Sequence, residues 1–142
     1  MQELEQDIDP DHNFFDYLNN TCCYFTDEQY NDLITKPVHG ISIVHFNSRS
    51  LYANFKSIKD YLNKFKKPFN IIALSETWLC PEKGFDFELN GYEFNYMNRR
   101  GKKGGGVALY IENGLNYKIV ESMTTAIDDL MECITVEICM EK

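Results

Sequence analysis

Two residues in this chain stand where a hard cation could be held. Asn47 ends the apolar run ISIVHF, and Glu76 follows the apolar run NIIALS. An amide oxygen and a carboxylate at one edge of a sheet suit Mg²⁺, which takes few carboxylates and completes its shell with water and substrate oxygens. A cation held there polarises a phosphoryl group and stabilises the departing oxygen, the simplest start of a phosphate-cleaving site. For Glu76 taken alone, a helix cap or a salt bridge is an equally ready explanation.

Positive charge gathers in two places. Arg49, Lys56, Lys59, Lys64, Lys66 and Lys67 form one group, and Arg99, Arg100, Lys102 and Lys103 the other. Such groups can meet phosphates, or they can be a solvated helix face and a charged hairpin tip. The run GKKGGG is not a phosphate-cradling P-loop, because no Ser or Thr follows the lysines and the next segment, VALYI, reads as a strand. A flexible basic tip able to touch a nucleic-acid backbone is the better reading. His12, His39 and His45 have no metal-ligand spacing, and neither do Cys22, Cys23, Cys80, Cys133 and Cys139. Cys133 and Cys139 lie in an apolar run and are expected in the core.

The elements that must position these groups follow from periodicity. Thr26 followed by Gln29 fits a capping box and predicts a short helix over 26–35, stopped by Lys36 and Pro37. ISIVHF predicts a buried strand. Leu51, Phe55, Ile58, Tyr61, Leu62 and Phe65 make a single helical stripe that Pro68 closes. Asn70 to Ser75 is a second strand, so strand, helix and strand predict a right-handed βαβ unit with a parallel pair. Ligands gather at the carboxyl ends of such strands, where Asn47 and Glu76 stand. Gly91 to Asn98 and Gly105 to Glu112 predict a hairpin around RRGKKGG, and Asn116 to Val120 and Glu132 to Met140 supply two further strands. The fold class is therefore α/β, a mixed sandwich rather than a doubly wound sheet.

Charge divides the chain. Up to Gly40 there are nine acidic residues against Lys36 alone, a net charge of -8, whereas the remaining residues hold 13 acidic and 13 basic side chains. Residues 1–39 thus read as an acidic leader, partly disordered and carrying the helix over 26–35, and 40–142 as a neutral domain. The acidity of the whole is no argument against a nucleic-acid ligand. No apolar run approaches the roughly 20 residues that span a bilayer, the acidic start is no signal peptide, and the odd cysteine count fits a reducing setting. An intracellular protein, neither secreted nor in the membrane, is expected.

FNSRSL, LSETWL and GYEFNYMNRRGKKGGGVALYI, in this order and spacing, resemble the N-terminal half of the endonuclease of LINE-type non-LTR retrotransposons. That endonuclease belongs to the exonuclease-endonuclease-phosphatase superfamily, with apurinic endonucleases and deoxyribonuclease I. The resemblance covers roughly residues 40–142. It implies a two-sheet α/β sandwich of the endonuclease/exonuclease/phosphatase type, here incomplete, and a Mg²⁺-dependent nicking activity on DNA in the nucleus. It implies further that Glu76 binds Mg²⁺, that Asn47 completes the metal and phosphate site, and that Arg99, Arg100, Lys102 and Lys103 lie on a substrate-facing hairpin. Members of the family continue with Tyr-Xaa-Pro, Asp-Xaa-Asn and Ser-Asp-His motifs, and this sequence reaches Lys142 before them. In related enzymes a tyrosine occupies the strand read here at 132–140, where Cys133 stands. The resemblance therefore implies a truncated endonuclease, inactive as an isolated chain and binding Mg²⁺ weakly. The alternative is a non-catalytic remnant or binding module for nucleic acid or protein. Half a sandwich also leaves an apolar sheet face open, which predicts marginal stability and self-association.

Overall fold

The computed structural model describes residues 25–34, 40–80, 82, 86–127 and 130–139. The expected disorder of the leader's start, His12, His39, Cys22, Cys23 and the last residue of the helix predicted over 26–35 lie outside them.

Helix α1 spans Asp27–Leu33 and opens on the predicted capping box. The Thr26 amide donates to Gln29 Oε1 at 2.9 Å, and the Gln29 amide donates to Thr26 Oγ1 at 3.3 Å. This satisfies two of the amides that a helix start leaves without partners. The helix is anchored on the main body. Tyr30 stacks on Phe69 and meets Phe65 edge-on, while Asn31 bridges Lys64 and Lys66 through their backbone.

The main body is a mixed four-stranded sheet. Strands β1 (Ile43–Asn47) and β2 (Ile71–Ser75) are parallel and are joined through helix α2 (Leu51–Leu62). Strand β3 (Tyr92–Met97) and strand β4 (Val107–Glu112) form the predicted hairpin, and β4 pairs antiparallel with β2, giving the order β1-β2-β4-β3. Burial explains the arrangement. Ile72, Leu74, Ala108 and Tyr110 point from one sheet face into a core completed by Leu51 and Ile58 of α2, with Phe55, Leu62 and Phe65 packed around it. Tyr110 is 1 % exposed and its hydroxyl donates to the Phe87 carbonyl at 2.7 Å, so a polar tip is buried without being orphaned.

By register, the other sheet face carries His45 and Asn47 of β1 beside Ala73 and Ser75 of β2, then Leu109 and Val107 of β4. Ile43, on the same pleat, is 61 % exposed. Part of this side is joined by two short ladders: β5 (Tyr117–Ile119) with β8 (Val136–Ile138), and β6 (Thr125–Ile127) with β7 (Met131–Cys133). The Asn95 amide donates to the Tyr117 hydroxyl at 2.9 Å and links β3 to the first of them.

Two expectations are corrected. The single strand predicted over 132–140 is two strands with different partners, because Thr135 is captured by the turn at Glu121–Met123. Its amide donates to Thr124 Oγ1 and its hydroxyl to the Met123 carbonyl, which ends one ladder and starts the next. Cys139 is exposed rather than in the core, and Cys133 is half-buried. Strand β6 has no counterpart in the sequence reading, since its three residues are too short to give a period. Among the described residues no helix is long and apolar enough to cross a membrane.

Candidate active site

The carboxyl ends of β1 and β2 are sewn together by the loop that enters α2. The amide of Ser48 donates to the Ser75 carbonyl, that of Ser50 to Glu76 and that of Leu51 to Thr77, each at 2.8 Å. Ser48 is buried, and its hydroxyl donates to the carbonyls of Ser75 and Glu76. Asn47 pairs in register with Ser75, so it and Glu76 are brought to the same sheet edge. Asn47 is exposed there and Glu76 is half-buried.

Glu76 sits in a strained segment. Its φ is 54°, that of Trp78 is 52°, and across the seam Arg49 and Ser50 have φ of 39° and 90°. Left-handed backbone at non-glycine residues is uncommon and costs of order 1–3 kcal/mol each, so it persists only where surrounding bonds fix it. Here the Thr77 amide donates to the Gly106 carbonyl and the Trp78 amide to the Gly105 carbonyl, clamping the segment against the end of the hairpin.

The carboxylate itself is held by two donors. Trp78 Nε1 donates to Glu76 Oε2 at 2.8 Å, and the Gly105 amide donates to the same oxygen at 3.2 Å. These bonds, the indole first and the amide second, lower the Glu76 pKa below its ordinary value, with the Arg99 charge helping and burial and the Glu132 charge opposing. Glu76 is thus held ionised and aimed by groups that engage Oε2.

A second carboxylate lies beside it. Glu132, on β7, has a buried side chain, 7 % exposed, which accepts from Arg99 Nε at 2.6 Å, from Arg99 Nη2 at 3.3 Å and from the Gly106 amide at 3.2 Å. Arg99 chiefly, then the Gly106 amide, hold its pKa low against the cost of burial. Consecutive amides of Gly105 and Gly106 therefore serve two carboxylates. Both glycines are buried with positive φ, and a Cβ on Gly105 would lie 2.5 Å from the Arg99 guanidinium. The last two glycines of GKKGGG are a packed joint, because only a residue without a side chain lets the backbone approach so closely.

The remaining cations fare differently. Arg99 pairs with Glu132, and Arg100, Lys102 and Lys103 are exposed along the connection between β3 and β4. Together with Tyr52, Trp78 and Tyr96, these three line an open depression of about 1000 Å³ next to Glu76. His45 is exposed and shares a hydrogen bond with Ser75 Oγ at 3.0 Å. Cys133 has Thr135 Oγ1 at 3.6 Å from its sulfur. Trp78 orients the carboxylate through its indole N–H, and Leu79 enters the core. Glu132 was missed by sequence reasoning. The signal available was an acid within the apolar stretch MECITV, which must find a cation if it is buried.

The residues fit a hard cation in part. Glu76 offers an ionised carboxylate whose protein hydrogen bonds fall on Oε2, and Asn47 offers an amide oxygen at the same edge. Among the described residues no group of three His, Cys, Asp or Glu side chains converges on one point. One carboxylate and one amide suit Mg²⁺ only if water and phosphate oxygens supply the rest of the shell. Comparison with protein-family models, curated proteins and solved structures gave no match.

Proposed function

We propose that this chain is the metal-binding half of a two-sheet α/β sandwich of the endonuclease/exonuclease/phosphatase type, derived from a LINE-type retrotransposon endonuclease and directed at DNA phosphodiesters. The observation that carries the reading is the Glu76 carboxylate. It is held ionised at the carboxyl end of β2, at the edge where β1 ends in Asn47, and next to a connection bearing Arg100, Lys102 and Lys103.

In this reading Glu76 and Asn47 hold Mg²⁺, which when bound polarises the scissile phosphate and stabilises the leaving oxygen. Trp78 and Gly105 fix the carboxylate before substrate arrives, so no reorganisation is needed at the moment of reaction. The hairpin cations bind the DNA backbone. Activation of the attacking water requires a base, and a Glu76 engaged on a cation cannot serve as one. Asn47 and Glu76 alone therefore make a site that binds metal and phosphate without hydrolysing. A second reading, a nucleic-acid-binding module with no catalytic role, is favoured by the two hydrogen bonds already placed on Oε2, which leave the carboxylate one oxygen for a cation.

Supercoiled-plasmid nicking and Mg²⁺ titration of the wild type and Glu76→Ala distinguish the two. The metal reading expects weak Mg²⁺ binding that Glu76→Ala abolishes, with no nicking by the chain alone. Identical Mg²⁺ responses from the two proteins would sink it in favour of the binding module. Nicking lost with Glu76 would sink the binding module instead and reveal a water-activating group beyond these two residues.

A further inference from the structure

We propose that Arg49 holds the DNA phosphate at the Glu76 edge, its guanidinium gripping the group that a cation on Glu76 polarises. The assignment rests on the metal reading above and adds the residue that positions the substrate. Arg49 lies directly across the seam from Glu76. The Ser48 hydroxyl and the Ser50 amide, on either side of it, both donate to the Glu76 carbonyl, at 3.1 and 2.8 Å. Asn47, two residues back, ends β1 at the same edge, and Arg49 is exposed there. A guanidinium presents a planar fork of donors that matches two phosphate oxygens at once.

The backbone points to a role for this side chain. Arg49 has a φ of 39°, a conformation that glycine takes without steric cost and arginine does not. Its neighbours hold it there. Besides the bonds of Ser48 and Ser50, Asn54 Nδ2 donates to the Ser48 carbonyl at 2.8 Å and to the Arg49 carbonyl at 3.4 Å. Strained residues of this kind gather at ligand clamps and active sites, and an exposed side chain offsets little of the strain by packing. Among the described residues no carboxylate pairs with Arg49. The Glu76 carboxylate is turned instead to Trp78 and Gly105.

Charge sets when Arg49 engages. Close to the seam stand Glu76, Arg49 and the Arg99–Glu132 pair, which cancel, while Glu82 and the cations Arg100, Lys102 and Lys103 lie further along the depression. A divalent cation on Glu76 makes the seam positive, so Arg49 is expected to hold phosphate chiefly when Mg²⁺ is present.

The experiment is a titration of the full chain with a fluorescein-labelled DNA duplex, followed by anisotropy in Mg²⁺ and in EDTA at matched ionic strength. Mg²⁺ should tighten binding by the wild type and not by Glu76→Ala. Arg49→Gly should lose about tenfold in affinity in Mg²⁺ and about twofold or less in EDTA, with the salt slope in Mg²⁺ reduced by about 0.9. Arg49→Lys should recover part of the loss, because an ammonium keeps the charge without the fork. Urea unfolding of Arg49→Gly should give a midpoint no lower than that of the wild type, which separates a substrate role from a structural one. Tightening by Mg²⁺ that is lost in Glu76→Ala but intact in Arg49→Gly would overturn the role of Arg49 alone, as would a lowered urea midpoint accompanying the lost affinity. No tightening by Mg²⁺ in the wild type would overturn the metal reading, and the role of Arg49 with it.

Discussion

Glu76 owes the lowering of its pKa chiefly to an indole two residues along the chain. Trp78 Nε1–H reaches Oε2 within a segment where both residues adopt left-handed backbone, so the strain and the hydrogen bond occur in one place. Trp78→Phe keeps an aromatic ring and removes the donor. The Glu76 titration midpoint should then rise toward the ordinary glutamate value, followed by carbon NMR of its carboxyl group. An unchanged midpoint would mean that the Gly105 amide alone sets the charge state. The sequence made Glu76 legible as a candidate, through its place after an apolar run. It gave no hint of Trp78 as partner, because the segment after Ser75 leaves the strand for left-handed backbone, a turn that no local period records.

At the scale of elements, the joint between the end of β2 and the start of β4 governs the site. Gly106 packs its α-carbon against Thr77, which is fully buried, and a Cβ there would approach Thr77 Oγ1 to 2.5 Å at a φ of 83°. Gly106→Ala should therefore cost about 2 kcal/mol or more, combining overpacking with backbone strain. Urea unfolding checks this, with Gly101→Ala as the comparison, since Gly101 shares a positive φ, 77°, while a Cβ there meets nothing within 4 Å, so the two differ in packing alone. A Gly106→Ala loss no larger than that of Gly101→Ala would mean that the joint yields. The βαβ unit and the hairpin were readable because their apolar periods are long and clear. The split of 132–140 was not, since a side chain 11 residues upstream, Thr124, terminates the ladder by accepting from the Thr135 amide.

Over the whole molecule, the lowered pKa values of Glu76 and Glu132 and the raised value of the buried Tyr110 phenol shape stability against pH. Glu76 and Glu132 are more readily ionised in the folded chain than in the unfolded one, so the fold is favoured fully above the ordinary value of 4.5. That contribution is lost as pH falls through their lower folded values. Burial pushes the Tyr110 phenol up from its ordinary 10.0, so its contribution is present below that pH and is lost above it as the unfolded chain ionises. Urea midpoints should be flat from about pH 5 to 9 and fall on either side, and Glu132→Gln should flatten the acid limb. An acid limb unaltered in that variant would assign the loss to other carboxylates. The net charge of -8 over residues 1–40 did not foretell where cations would gather, because local clusters, not the total, set the field at the depression.

Sequence by itself determined the βαβ start, the hairpin, the capping box of α1 and the placing of Asn47 and Glu76 at one sheet edge. Each of these follows from a local period or a spacing of a few residues. Tertiary structure alone decided that Glu132 joins Arg99 across 33 positions, that Gly105 and Gly106 form a packed joint, and that Tyr52, Trp78 and Tyr96 share a depression with the cations of the β3–β4 connection. Those contacts depend on how separate elements pack, and a pattern read along one strand or helix carries no record of its neighbours.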